Sequence, residues 1–202
     1  MKLYGNPMST CTRKVLTVLA EKGREAEFIN IDLSKHEQKT PAHVARQPFG
    51  VVPALELDDG FIMYESRAIA RFLDRTLPGN SLTPTDPKAY ALMEQFIGVE
   101  QSYFSGQAMK IVMERFFNTN NEENIAKGRE GVKRPLAVID AELAKRPFLA
   151  GNDFTLAEVS WAPYMEYLFA VGEKDLVAPH KNVMAWWERV SSRPSVKKAF
   201  GK

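Results

Sequence analysis

Apolar and polar positions first alternate over Lys2-Leu3-Tyr4, the pattern of a short strand that a Gly5-Asn6-Pro7 turn brings to an end. From Ser9 the spacing changes. Val15, Leu16, Val18 and Leu19 recur at the offsets of one helix face, and Ser9 has the residue type of an N-cap. Gly23 ends this helix, with Lys22 in its last turn. Ile29, Ile31 and Leu33 then alternate with Asn30 and Asp32, which predicts a second strand. Two strands and a helix in so short a span require a parallel, right-handed crossover. Ser34 to Thr40 is a polar loop, and Pro41 opens a short helix reaching Gln47. Pro53 starts a third strand, where a missing N–H is tolerated, and a cis bond there would turn the chain and expose the backbone of Val52. Asp58-Asp59-Gly60 is the tight turn of a hairpin between Ala54–Leu57 and Phe61–Met63. After Glu65-Ser66, a further helix face is marked by Ala68, Ile69, Phe72 and Leu73.

Pro78 to Pro87 carries three prolines and a glycine and reads as a linker. Beyond it only helical periodicity is found. Lys88 to Phe117 is helical in pattern, Asn118 to Asn121 is a break, and Glu122 to Lys145 is a second long helix with Pro135 as its kink. Phe148 to Asp153 is a turn. Thr155 and Glu158 form a capping box, with Phe154 and Val159 placed as a hydrophobic staple. The helix that follows has the look of a buried one, with Trp161, Tyr164, Leu168 and Phe169. Pro179 opens a helix through Trp186 and Trp187, and Pro194 interrupts the tail. The expected domains are therefore 1–77, a linker over 78–87, and an all-helical domain over 88–202.

Composition narrows the chemistry. An apolar fraction of 45% in 202 residues supports a proper core. The net charge of +2, with Lys and Arg spread along the chain, gives no nucleic-acid footprint. A single cysteine, Cys11, excludes an intrachain disulfide and a Cys-based zinc site, and the three histidines lie too far apart for metal-ligand spacing. No metal is expected. No apolar run is long enough to span a bilayer, and the N-terminus lacks the apolar region of a signal peptide, so the expected location is the cytoplasm.

The segments LYGNPMSTCTRKVL, QPFGVVPALE, ESRAIARFL and FLAGNDFTLAEVSWAP, in this order and spacing, resemble the glutathione transferase family, most closely its phi class and bacterial relatives. The resemblance covers essentially the whole chain. It implies an α/β N-terminal thioredoxin-like domain, βαβ-α-ββα, and an all-α C-terminal helical domain. It also implies an enzyme with glutathione as cosubstrate and no other cofactor. Ser9 is then the catalytic hydroxyl, at a helix start whose unpaired N–H groups and dipole suit an anion. Val52 and Pro53 would bind the cysteinyl part of glutathione by strand addition. Glu65 would take the γ-glutamyl ammonium, Ser66 its carboxylate, and Lys39, helped by Gln38, the glycine carboxylate. Met8, Tyr103, Phe104, Met109 and Phe116 are candidates for an apolar electrophile pocket between the domains. Val112, Met113 and Phe117 belong to the same pool. A homodimer is expected, with Phe49 as a candidate intersubunit anchor. The chain departs from the family pattern at Gln38, where His is frequent, and at Val51, where Gln is frequent. It departs again at Glu158, where Asp is common and where only cap geometry should change.

The expected reaction is attack of the glutathione thiolate, stabilised by Ser9, on an apolar electrophile. Two rivals use the same fold: a glutathione-dependent peroxidase of organic hydroperoxides, and a non-catalytic ligand-binding protein. A third, a thioltransferase through Cys11, is disfavoured by geometry. Two residues beyond Ser9, its side chain is rotated by roughly 200° about the helix.

Overall fold

A computed structural model describes residues 1–202. The chain divides into two compact units, residues 1–81 with 194–202, and residues 82–193.

The first unit is built on a four-stranded mixed sheet of order β2-β1-β3-β4. Strand β1 (Lys2–Gly5) runs parallel to β2 (Glu27–Asn30) and antiparallel to β3 (Ala54–Glu56), which pairs with β4 (Ile62–Tyr64). The second strand is earlier and shorter than the apolar alternation predicts. Ile31 and Leu33 lie past its end because β1 stops at the Gly5-Asn6-Pro7 turn. The Ile31 N–H still reaches the Gly5 carbonyl at 2.8 Å. Tyr4, Ile31, Val52 and Ala54 form one core cluster, with Ile29 and Leu33 against it. The hairpin strands end one residue from their expected bounds, with Leu57 N–H donating to Phe61 O at 2.9 Å across the turn.

Helix α1 (Thr10–Glu21) follows β1. Its end is a full Schellman motif: Gly23 N–H donates to Ala20 O at 3.1 Å and Arg24 N–H to Leu19 O at 2.9 Å. Gly23 supplies the left-handed φ of +61° that this motif needs. Lys22 does not serve the helix dipole as expected. Its ammonium is buried against Asp74 at 2.7 Å and the Asn80 carbonyl at 2.7 Å. Asp74 lies on α3 (Ser66–Thr76), whose buried face is Ser66, Ile69, Ala70, Leu73 and Asp74. Ala68 is exposed and Phe72 half-buried, a correction to the predicted stripe. A 3₁₀ turn over Glu37–Lys39 interrupts the polar loop. The short α2 (Pro41–Val44) stops before Gln47, and single turns carry the chain onward.

The second unit holds α4 (Pro87–Val99), a π-helical turn over Glu100–Phe104, and α5 (Ser105–Phe116). Helices α6 (Glu122–Leu143), α7 (Leu156–Ala170), α8 (Lys174–Val177) and α9 (Lys181–Ser191) complete it. Asp86, Asn121 and Thr155 cap their helices by accepting backbone N–H bonds. Helix α7 is buried on all sides over its first thirteen residues. The Thr155–Glu158 capping box is present, but Glu158 does more than shape the cap. Its carboxylate also accepts from Leu149 N–H at 2.7 Å and Trp186 Nε1 at 3.3 Å, so it ties three segments together. Complete burial pushes this carboxyl above the usual range, against the donors that favour its ionised form. Pro179 precedes α9 by two residues instead of opening it. Pro194 starts a helix, α10 (Pro194–Ala199), because proline fits the first helical position. Helix α10 packs on α1, so residues 194–202 leave the helical domain expected over 88–202. No helix is long and apolar enough to cross a membrane.

Candidate active site

The strand register gathers four motifs at one end of the sheet. Gly5 pairs with Asn30, Tyr4 with Ala54, and Ala54 with Tyr64. Immediately beyond these pairs come Asn6–Ser9, the loop from Ile31 to Lys39, Val52-Pro53, and Glu65-Ser66.

Ser9 is the N-cap of α1. Its Oγ accepts the Thr12 N–H at 3.3 Å, while its own N–H donates to Asn6 O at 2.9 Å. The cap uses the hydroxyl only as an acceptor, so its proton is free to be donated outward. The preceding turn is well tied. Asn6 Nδ2 donates to Ile31 O at 3.0 Å, Met8 N–H to Asn6 Oδ1 at 2.9 Å, and Arg13 Nε to Pro7 O at 2.8 Å. Cys11 is half-buried inside the helix and free.

The Val52-Pro53 bond is cis. Neither the N–H nor the C=O of Val52 has a partner within the protein. Gly50 holds φ +61°, and a Cβ there would fall 2.9 Å from Lys39 Cδ and 3.1 Å from Gln38 O. The segment before Val52 is therefore seated on the Gln38-Lys39 loop. Lys39 Nζ donates to Phe49 O at 3.3 Å and is otherwise exposed. The buried Oε1 of Gln38 has no partner.

Ser66 is buried at the start of α3, and no side chain caps that helix. Its first N–H groups are thus open to an outside acceptor. Glu65, just before, holds φ 73° and ψ 103°, an unusual conformation for a residue with a Cβ.

The glutathione S-transferase N-terminal domain family matches residues 1–75, and the glutathione S-transferase C-terminal domain family matches residues 104–194. The chain belongs to the glutathione S-transferase family. It is 40% identical to glutathione S-transferase PM239X14 of Arabidopsis thaliana, over 93% of this chain and 89% of that one. With glutathione S-transferase F12 of the same plant it shares 37% identity, over 98% and 96% of the two chains. Among solved structures, glutathione transferase F7 from Populus trichocarpa matches with a TM-score of 0.90 at 35% identity, covering 98% of this chain and 96% of that one. Glutathione S-transferase-I bound with the ligand lactoylglutathione matches with a TM-score of 0.90 at 30% identity, covering 99% and 98%. The Arabidopsis and Populus proteins are plant F-type, or phi-class, relatives.

The apolar candidates do not form one wall. Phe104 is fully buried and stacked on Trp161 at 4.4 Å between ring centroids, so it is core and no pocket residue. Val112 is core as well. Tyr103 is exposed in the π-helical turn and lines a groove of about 530 Å³ with Gly131, Pro135 and Val138 of α6. Phe116 is on a different side, edge-on to Phe117 at 5.5 Å and to Tyr167 of α7 at 6.3 Å. Met109 is half-buried, while Met113 and Phe117 are exposed. Met8 is exposed, with its sulfur 3.6 Å from the Arg13 guanidinium. Sequence reasoning passed over His43, Gln47 and Arg13, which hold the segments around Val52 and Ser9. Each acts on the backbone of another segment, which leaves no spacing signature.

Proposed function

We propose that this family member binds glutathione across the end of the sheet that carries Ser9, Val52 and Ser66, and transfers it, as thiolate, to apolar electrophiles. The observation that carries the reading is the unpaired backbone of Val52. It lies at the same end of the sheet as a hydroxyl whose proton is unused and a helix start that no side chain caps. In this reading Val52 pairs with the cysteinyl backbone of the tripeptide. Ser66 and the open N–H groups of α3 take the γ-glutamyl carboxylate, Glu65 its ammonium, and Lys39 with Gln38 the glycine end. That a solved relative holds lactoylglutathione supports this choice of ligand.

Ser9 then donates to the sulfur. A cysteine-type thiol titrates near ~8.5, and lowering it by two units takes about 2.7 kcal/mol of extra interaction with the anion. One hydrogen bond to a charged group contributes ~1.5–3 kcal/mol, and the α1 dipole adds ~0.3–1 kcal/mol. The hydroxyl is therefore adequate without a protein base. With Phe104 and Val112 in the core, the candidates whose side chains keep surface open to an electrophile are Met8, Met109, Met113, Phe116 and Phe117.

Ser9→Ala is expected to lower kcat/KM for a chlorodinitrobenzene-type electrophile by at least about tenfold, the equivalent of ~1.4 kcal/mol. It should also move the thiolate absorbance of bound glutathione to higher pH. An unchanged rate and an unchanged titration together would rule out this role for Ser9. We also propose a homodimer, because Phe49, 68% exposed, and Val51, Phe61, Ile62 and Tyr64 leave apolar surface along and beside the edge strand β4. Sedimentation equilibrium should return twice the chain mass of 22.8 kDa, and Phe49→Ser should weaken association. A monomer at micromolar concentration would exclude it.

A further inference from the structure

We infer that His43, assisted by Gln47, is the positioning residue that aims the Val52 N–H at glutathione; this rests on the binding mode proposed above. Both side chains are buried, at 2% and 1% exposure, on and just after α2. Between them they engage every backbone N–H from Phe49 to Val51 and the Val51 carbonyl. Gln47 Oε1 accepts the Phe49 N–H at 2.8 Å and the Val51 N–H at 3.4 Å, and Gln47 O accepts the Gly50 N–H at 2.9 Å. His43 Nε2 lies 2.7 Å from Val51 O. A carbonyl can only accept, so Nε2 carries the proton. Nδ1 is buried without a partner.

The decisive point is which peptide unit His43 holds. Val51 C=O and Val52 N–H belong to one planar group, and the only cis bond in the chain is the next one, Val52-Pro53. In a trans peptide the C=O and N–H point in opposite directions. His43 draws the carbonyl toward α2, so the Val52 N–H is turned away from α2 and fixed there. Accepting this hydrogen bond also polarises the peptide and makes its N–H a better donor. An apolar side chain in the same space would avoid the orphaned Nδ1, which costs desolvation energy. What it would lack is the hold on this plane. Thr40 fixes the base of the device, because its hydroxyl caps α2 by accepting the His43 N–H.

The test uses His43→Phe, which keeps the ring volume and loses the donor, and His43→Gln, whose amide nitrogen can take the place of Nε2. Glutathione Kd is read by calorimetry, and KM and kcat by steady-state conjugation. His43→Phe is expected to raise Kd and KM for glutathione about tenfold, the value of one lost hydrogen bond. At saturating glutathione its kcat should fall less than about threefold, since Ser9 is untouched. His43→Gln should recover most of the affinity. A merely structural role would lower the melting temperature of both variants and leave their Kd unchanged, and that result overturns the inference. If His43→Phe does not fold, Gln47→Met is read the same way, with a raised Kd supporting the role and an unchanged one overturning it. Wild-type protein that fails to bind glutathione removes the proposed site itself, a separate outcome from wild-type binding with variants that match it.

Discussion

Glu65 is held at φ 73° and ψ 103° directly before the uncapped start of α3. A residue with a Cβ in so sparsely populated a region costs about 1–3 kcal/mol. Glycine would relieve that strain. Glu65→Gly is expected to raise thermal stability by about 1 kcal/mol and, on the proposed binding mode in which Glu65 holds the γ-glutamyl ammonium, to raise KM for glutathione. Thermal melts and steady-state kinetics on one preparation check both halves; a variant that loses stability, or keeps its KM, would contradict the exchange. Residues of this kind mark the limit of what a sequence shows. Ser9, Val52 and Ser66 were legible because their types and surroundings announce a cap, a proline-led strand and a helix start. The strain at Glu65 was not, since backbone dihedrals leave no trace in residue type. His43 and Gln47 were equally silent. Their partners are backbone groups of Phe49 and Val51, and any residue can offer a carbonyl or an N–H.

Elements were most legible where chemistry punctuates them. The helix starts at Ser9 and Thr155 and the helix end at Gly23 follow from capping groups that satisfy backbone orphans. Strand ends were less so, because burial outlasts the ladder. Ile31 is buried and hydrogen-bonded to Gly5, yet β2 has already ended at Asn30. Proline misled twice. Pro194 and Pro179 look alike in sequence, but one begins α10 and the other lies two residues outside α9. Lys22 shows a deeper limit. Beside Gly23 it suggests a charge set against a helix dipole, worth a few tenths of a kcal/mol. Its ammonium is instead enclosed with Asp74, 52 positions away, and with the Asn80 carbonyl. This joins α1, α3 and the chain leaving them, and the pairing is visible only once α1 and α3 are packed.

At the scale of the whole molecule, the order of the first unit and the all-helical character of the second followed from hydrophobic periods of two and 3.6. The return of the last nine residues to the first unit did not, because six helical residues with an apolar face do not name the surface they will cover. That return has a consequence for the site. Phe200 lies under the Arg13 guanidinium, 5.1 Å from the ring centroid, and Arg13 in turn donates to the Pro7 carbonyl and touches the Met8 sulfur. Pro7 and Met8 are the residues that deliver Ser9 to the start of α1. Phe200, the residue after α10, thus bears on the turn before Ser9 through a single buried arginine. Phe200→Ala removes a largely buried aromatic, worth about 3 kcal/mol or more in a core, together with a cation–π contact of about 0.5–2 kcal/mol. The expected result is a clear fall in melting temperature and, in protein still folded at the assay temperature, a several-fold loss of kcat. Glutathione KM should change little, because Val52 and α3 are held by other residues. Full kcat in a destabilised variant would show that α10 only braces α1; a raised KM with normal kcat would place the influence of the tail on tripeptide binding instead of on Ser9.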